Sequence, residues 1–154
     1  MQPVEAVAET NFKDQLDLLA GIDAWQIQSN PSAILGLASR VQCGEPRKTF
    51  TIRTRSKGGG ETQLEKRARA IANQANGHLY PHLTVQAYLH EKKGNLLCAA
   101  VITTQDLISL ASFLHANMKY NESWYGRIDN DDKSQFQYIA WDDLRAQKFD
   151  LGVV

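Results

Sequence analysis

At 154 residues, with 43% apolar and 22% charged residues, the chain can bury a core of its own without disulfides or a structural metal. Seventeen basic residues balance seventeen acidic ones. That excludes nucleic-acid binding by overall charge and leaves room for a local basic face.

Residues 1–10 read as a loose, acidic start without the apolar core of a signal peptide. No apolar run approaches the ~20 residues of a membrane helix. A cytoplasmic protein with no membrane partner is therefore expected. An amphipathic helix is expected over 11–20, with Phe12, Leu16 and Leu19 at helical spacing and Gly21 as its stop. Ile22 to Gln28 has the pattern of a strand, placing Asp23, Trp25 and Ile27 on one face. Trp25 belongs to a core or stacks on a base. Asn30-Pro31 marks a turn, and a second strand is expected over 33–43.

The segment KTFTIRTR, 48–55, alternates as a third strand. Its alternation puts Phe50 and Ile52 on one side and Thr51, Arg53 and Arg55 on the other. Gly44-Glu45-Pro46 looks like a hairpin connection between the second and third strands. The glycine run 58–60 then leads into a helix over 61–76, with a buried stripe of Leu64, Ala68, Ile71 and Ala75 and an Asn76-Gly77 stop. Strands follow over 83–91 and 95–103, joined by Glu91-Lys92-Lys93-Gly94. The run LLCAAVI, 96–102, predicts a strand covered on both faces. Thr104 is placed to cap a helix over 105–115 with Leu107, Leu110, Ala111 and Leu114 inside. Trp124-Tyr125 and FQYIAW, 136–141, supply late strand material before a final helical turn at Asp142-Asp143-Leu144. The expected architecture is a single α/β domain, 1–154, with a mixed central sheet flanked by helices and extra C-terminal strands.

Basic residues crowd one stretch: Arg47, Lys48, Arg53, Arg55, Lys57, Lys66, Arg67 and Arg69. Arg53, Arg55 and Lys57, extended by Lys66 and Arg67, form a candidate phosphate-binding patch, because guanidinium forks match phosphate oxygens. The competing arrangement pairs these cations with Glu61 and Glu65, with Arg69 completing an i,i+4 ladder. The glycine run can likewise expose backbone N–H groups to a phosphate or form a plain hairpin tip. Cys43 and Cys98 lack a CxxC partner and are expected as two buried free thiols. The four histidines, at 78, 82, 90 and 115, have no zinc-ligand spacing.

Gly21-Ile22-Asp23-Ala24-Trp25 sets an acid just inside a strand that follows a short helix. Leu37-Ala38-Ser39-Arg40-Val41-Gln42 sets Arg40 and Gln42 on one face of the next strand. Within an α-β-β-β-α-β order these stretches resemble the core of the PD-(D/E)XK nuclease superfamily, a restriction-endonuclease-like fold. The segments FTIR, 50–53, and TQLEK, 62–66, are also similar to stretches of nuclease-like proteins of phages and mobile elements. The resemblance implies a DNA- or RNA-cleaving enzyme that uses Mg²⁺ or Mn²⁺. Asp23 would bind the metal with Asp17, less readily Asp14, or with a helix glutamate. Arg40 and Gln42 stand where the superfamily has an acid and a lysine. Gln42 would replace the lysine, and Arg40 would steady the scissile phosphate. No carboxylate occurs between Asp23 and Glu45, so the chain departs from the pattern at the second acid. That departure implies the alternative of an inactive nuclease-fold module that binds nucleic acid or a protein. A third expectation is an accessory protein acting through protein contacts alone, including a homodimer.

Overall fold

The computed structural model describes residues 5–6, 24–29, 32–76, 79–117 and 125–154. The helix expected over 11–20, Asp14, Asp17, Gly21, Asp23, the Asn30-Pro31 turn, Gly77 and Trp124 lie outside the described residues, as does the side chain of Trp25.

Two sheets organise the chain. The larger contains β1 (Glu5–Ala6), β2 (Ala24–Ser29), β3 (Ser32–Cys43), β5 (Leu83–Leu89), β6 (Leu96–Thr103) and β9 (Gly152–Val153), in the order β1-β2-β3-β5-β6-β9. It is mixed: β3 and β5 run parallel, and the other pairs are antiparallel. The smaller sheet is antiparallel, with β4 (Thr49–Arg55), β8 (Gln135–Ala140) and β7 (Tyr125–Asp129) in the order β4-β8-β7. Three helices complete the described fold: α1 (Gln63–Ala72), α2 (Thr104–Ala116) and α3 (Trp141–Ala146). The described residues form the expected single α/β domain, but with two sheets in place of one mixed central sheet.

The twelve-residue β3 serves two partners. Its first half pairs with β2, and from Leu37 onward it pairs with β5. Gly36 sits at the hand-over, where its N–H donates to His82 Nδ1 at 3.1 Å and its carbonyl accepts the His82 N–H at 2.7 Å. A parallel β3–β5 pair requires a crossover rather than a hairpin. The crossover here is β4 plus α1.

This corrects the expected hairpin at Gly44-Glu45-Pro46: the strands on either side of it belong to different sheets. Gly44, at φ +110, turns the chain out of the larger sheet while its N–H bonds the Leu89 carbonyl at 3.0 Å. That backbone conformation is nearly free only for glycine. Lys48, at φ 49, then redirects the chain into β4, and its carbonyl accepts the Trp141 N–H.

α1 begins at a complete capping box. Thr62 Oγ1 accepts the Glu65 N–H, and the Glu65 carboxylate accepts the Thr62 N–H at 2.8 Å. The helix ends at Ala72, short of the expected 76, and passes into a 3-10 turn at Gln74–Asn76. Ala75 is therefore exposed, while Arg67 and Ala70 join Leu64 on the buried side. α2 is capped by Thr103 rather than Thr104, with Asp106 N–H as donor. Its buried face holds Leu107, Ala111 and Leu114 as expected, and Ile108 widens it.

The core joins these faces to Phe50 and Ile52 of β4, Ile102 of β6, Ile139 of β8, and Trp141 and Leu144 of α3. Each fully buried side chain of this size stabilises the fold by about 1.5–3 kcal/mol relative to exposure. Trp141 lies 5.9 Å from Phe50 and 5.7 Å from Tyr88, centroid to centroid, tying both sheets to one aromatic cluster. Coverage of β6 is partial, against expectation: Leu96 and Leu97 are 55% and 44% exposed, because close packing starts only at Ala99. Cys43 is exposed and Cys98 half-buried, correcting the pair of buried thiols. Cys43 ends its strand and faces away from the core. Among the described residues no helix is long and apolar enough to cross a membrane.

Candidate functional site

β3 and β5 place Arg40, Gln42, Gln86 and Tyr88 on one face. Arg40 pairs in register with Gln86, and Gln42 with Tyr88. Side chains in register on neighbouring strands share a face. On the smaller sheet, Thr51 stands opposite Tyr138, and Arg53 opposite Phe136, which in turn stands opposite Ile128 of β7. The two faces meet as the walls of a cleft of about 570 Å³, lined among others by Arg40, Gln42, Tyr88, Thr51, Ile128 and Phe136. Glu45, Arg47 and Asn130 stand on its lining too.

A polar chain joins the two walls. Thr51 Oγ1 donates to Gln86 Oε1 at 3.3 Å, and Gln86 Nε2 donates to Gln42 Oε1 at 3.3 Å. Gln86 is 1% exposed, so it needs both partners. Tyr88 is anchored through its hydroxyl, which donates to the Thr49 carbonyl at 3.2 Å. The other wall rests on Gly126, where an added Cβ would collide with the phenol of Tyr138. The missing side chain lets Tyr138, two residues from Phe136 on β8, lie against β7.

Two guanidiniums converge on one ring that lines this cleft, Phe136. The Arg40 guanidinium carbon lies 4.6 Å from the Phe136 centroid, and that of Arg53 lies 5.2 Å from it. Both distances suit a cation–π contact. The salt bridges among the described residues are Arg55–Asp129, Arg69–Glu61 and Arg127–Asp129, so neither ring-bound arginine is in one. Burial, and then the like charge of Arg53, lower the Arg40 pKa from its ordinary value, with Tyr88 opposing. Arginine remains charged throughout the working pH range. The cleft wall therefore carries the half-buried charge of Arg40, with the exposed Arg53 beside it on the same ring.

A β-bulge decides which arginines face it. The register shifts between Arg53 and Arg55, so that Arg53 opposes Phe136 and Arg55 opposes Gln135. Those two β8 residues point to opposite faces. Arg53 and Arg55 thus do not share a face, contrary to the simple alternation of KTFTIRTR. Arg55 instead meets Asp129 Oδ1 at 3.2 Å and donates to the Lys133 carbonyl at 2.9 Å. It borders a second depression, lined by the glycine loop and the start of α1. There Arg69 pairs with Glu61 at 2.9 Å. The Glu65 carboxylate already occupies the helix N-terminus, and its pKa is lowered by backbone and side-chain hydrogen bonds from Thr62. The cap thus engages the Thr62 and Glu65 N–H groups of this helix end within the chain itself. The expected Glu61–Glu65–Arg69 ladder is likewise reorganised, with Arg69 reaching Glu61 across the cap.

The remaining residues of the expected patch are dispersed. Lys57 is exposed and acts on Asp132, whose pKa is lowered first by the Ser134 hydroxyl and then by the Ser134 backbone, with smaller effects of Lys57 and Arg53. Lys66 is half-buried on α1. Arg67 is 6% exposed and cannot share an open surface with Arg53. Phe136, Gln86 and Tyr88 were not singled out in the sequence. A glutamine inside the apolar TVQAYL strand was the available signal, since buried polar residues are the informative ones.

Asp17 and Asp23 lie outside the described residues, so the metal set they imply has no geometry here. Among the described residues no three His, Cys, Asp or Glu side chains converge. The described lining has the arginines Arg40 and Arg47 and one carboxylate, Glu45, with the Arg53 guanidinium at the same ring. This donor set suits an anion rather than a divalent cation. In comparisons with known proteins, no family model, curated protein or solved structure matched the chain.

Proposed function

We propose that this protein binds nucleic acid through the cleft between its two sheets, with Arg40 and Arg53 holding a backbone phosphate. The observation that carries the reading is the convergence of both guanidiniums on Phe136 with no salt-bridged carboxylate among the described residues. A half-buried cation loses hydration and must recover it from a partner. Two adjacent cations also repel each other. A phosphate offers several acceptor oxygens and removes both costs at once. The neutral net charge fits a local site of this kind rather than an all-over basic surface.

Of the α-β-β-β-α-β order on which the PD-(D/E)XK resemblance rests, the first helix lies outside the described residues, and the third strand pairs in the second sheet rather than beside the second strand. Arg40 stands where that superfamily has an acid, which supports a binding role for this strand. Catalysis would draw on Asp23 and Asp17.

The test is fluorescence anisotropy of labelled DNA and RNA with the purified chain over a range of salt. A steep fall of log affinity with log salt is expected, with a slope that shrinks by about one for each phosphate-binding arginine removed. No affinity at low salt for any nucleic acid ends the reading and leaves the protein-contact alternative. Incubating the same substrates with Mg²⁺, beside Asp23→Ala, decides the enzymatic form: cleavage lost in the variant would make the protein an endonuclease.

A further inference from the structure

We infer that the cleft takes a nucleotide of a single strand rather than a duplex, and that Gln42 reads a carbonyl oxygen on its base. This rests on the nucleic-acid reading above. The volume of about 570 Å³ is that of a pocket for one small-molecule-sized unit. Arg40, the deeper cation, lies in its wall and not on a rim. A phosphate on a stiff double helix meets only exposed cations, whereas an unpaired strand can feed one phosphate and its base inward.

The polar chain supplies the reader. Thr51 donates to Gln86, and Gln86 donates to Gln42 Oε1, which leaves the Gln42 amide nitrogen as the donor end toward the cleft. An amide NH₂ held by its own oxygen presents hydrogens to an acceptor. Thymine, uracil, cytosine and guanine each carry an exocyclic carbonyl, and adenine carries none. On a duplex the pairing edge is blocked; on a single strand it is open. Gln42 is thus assigned as a specificity residue and Arg40 and Arg53 as the phosphate grip. Free nucleotides share this chemistry, but Arg47 on the cleft lining offers a further cation to a neighbouring phosphate, which favours a strand.

The experiment measures anisotropy of the full chain with oligo(dT), oligo(dA) and their blunt duplex, each of about twelve nucleotides, with thymidine monophosphate as competitor. Oligo(dT) should bind about tenfold tighter than oligo(dA), the discrimination expected of one good base contact, and tighter than the duplex by at least as much. Gln42→Leu should bring the oligo(dT)/oligo(dA) ratio close to one. Gln42→Asn, which keeps the amide, should retain part of the preference and controls for folding. Arg53→Ala should weaken both strands equally and leave the ratio unchanged. Duplex binding equal to or tighter than oligo(dT), a ratio unmoved by Gln42→Leu, or the monophosphate competing as well as the strand would each overturn the inference while leaving nucleic-acid binding in place. Absence of binding to every probe would instead remove the reading beneath it.

Discussion

Two regions of this molecule gather arginines beside a depression, and they treat those charges in opposite ways. At the glycine loop and the start of α1, Arg55 meets Asp129, Arg69 meets Glu61, and Glu65 closes the helix end. In the cleft between the sheets, Arg40 and Arg53 share the Phe136 ring without a salt bridge among the described residues. Among the described residues, the arginines of the first region are held in salt bridges and those of the second are not. Proximity of basic residues in sequence is therefore a poor guide to a binding site; what counts is whether the fold has already supplied their counter-ions.

The largest effect should come from emptying the cleft. Arg40→Ala with Arg53→Ala is expected to lower nucleic-acid affinity by about 100-fold, from the loss of two charge-assisted contacts. The slope of log affinity against log salt should fall by about two. An affinity within threefold of the unaltered chain, read by anisotropy at several salt concentrations, would break the comparison. Affinity should also be flat between about pH 6 and pH 9, since arginine does not titrate there.

Next in size is the wall of the cleft. Gly126→Ala drives a methyl group into Tyr138. Forced repacking of this kind costs about 1–3 kcal/mol. Urea unfolding measures it, and a variant as stable as the original would show that Tyr138 moves aside freely.

On the paired side, Thr62→Ala removes the cap of α1 and should cost about 1 kcal/mol without touching affinity. The Glu65 pKa is lowered in the fold by Thr62. Its contribution is therefore complete above the ordinary carboxylate pKa and is lost as pH falls through the lower folded value. The penalty of Thr62→Ala, taken from urea midpoints, should accordingly shrink between neutral pH and about pH 3. A penalty that stays constant down to that pH would contradict the cap.

The smallest effect is expected from Arg55→Ala and Arg69→Ala together. Their charges are spent on exposed pairs with Asp129 and Glu61, and such pairs contribute little. Affinity should remain within about threefold of the original. A loss as large as that of the cleft double variant would move the binding surface to the glycine loop.

What could be read from the sequence was local. Alternation marked β2 and β4, and the 3.6-residue period marked α1 and α2, because a buried face must repeat at the period of its own backbone. Arg40 and Gln42 were already visible as neighbours on one strand face, since a separation of two residues decides that by itself. The β-bulge at Arg53–Arg55, the departure of β4 into a second sheet and the meeting of Arg40 with Phe136, 96 positions later in the chain, were decided by the tertiary structure. Each depends on which strand lies alongside, and pairing partners are chosen by burial across the whole core rather than by any short stretch of chain. The same reason separates Arg55 from Arg53: two arginines of identical local pattern acquire different partners because Asp129 waits beside one and an aromatic ring beside the other.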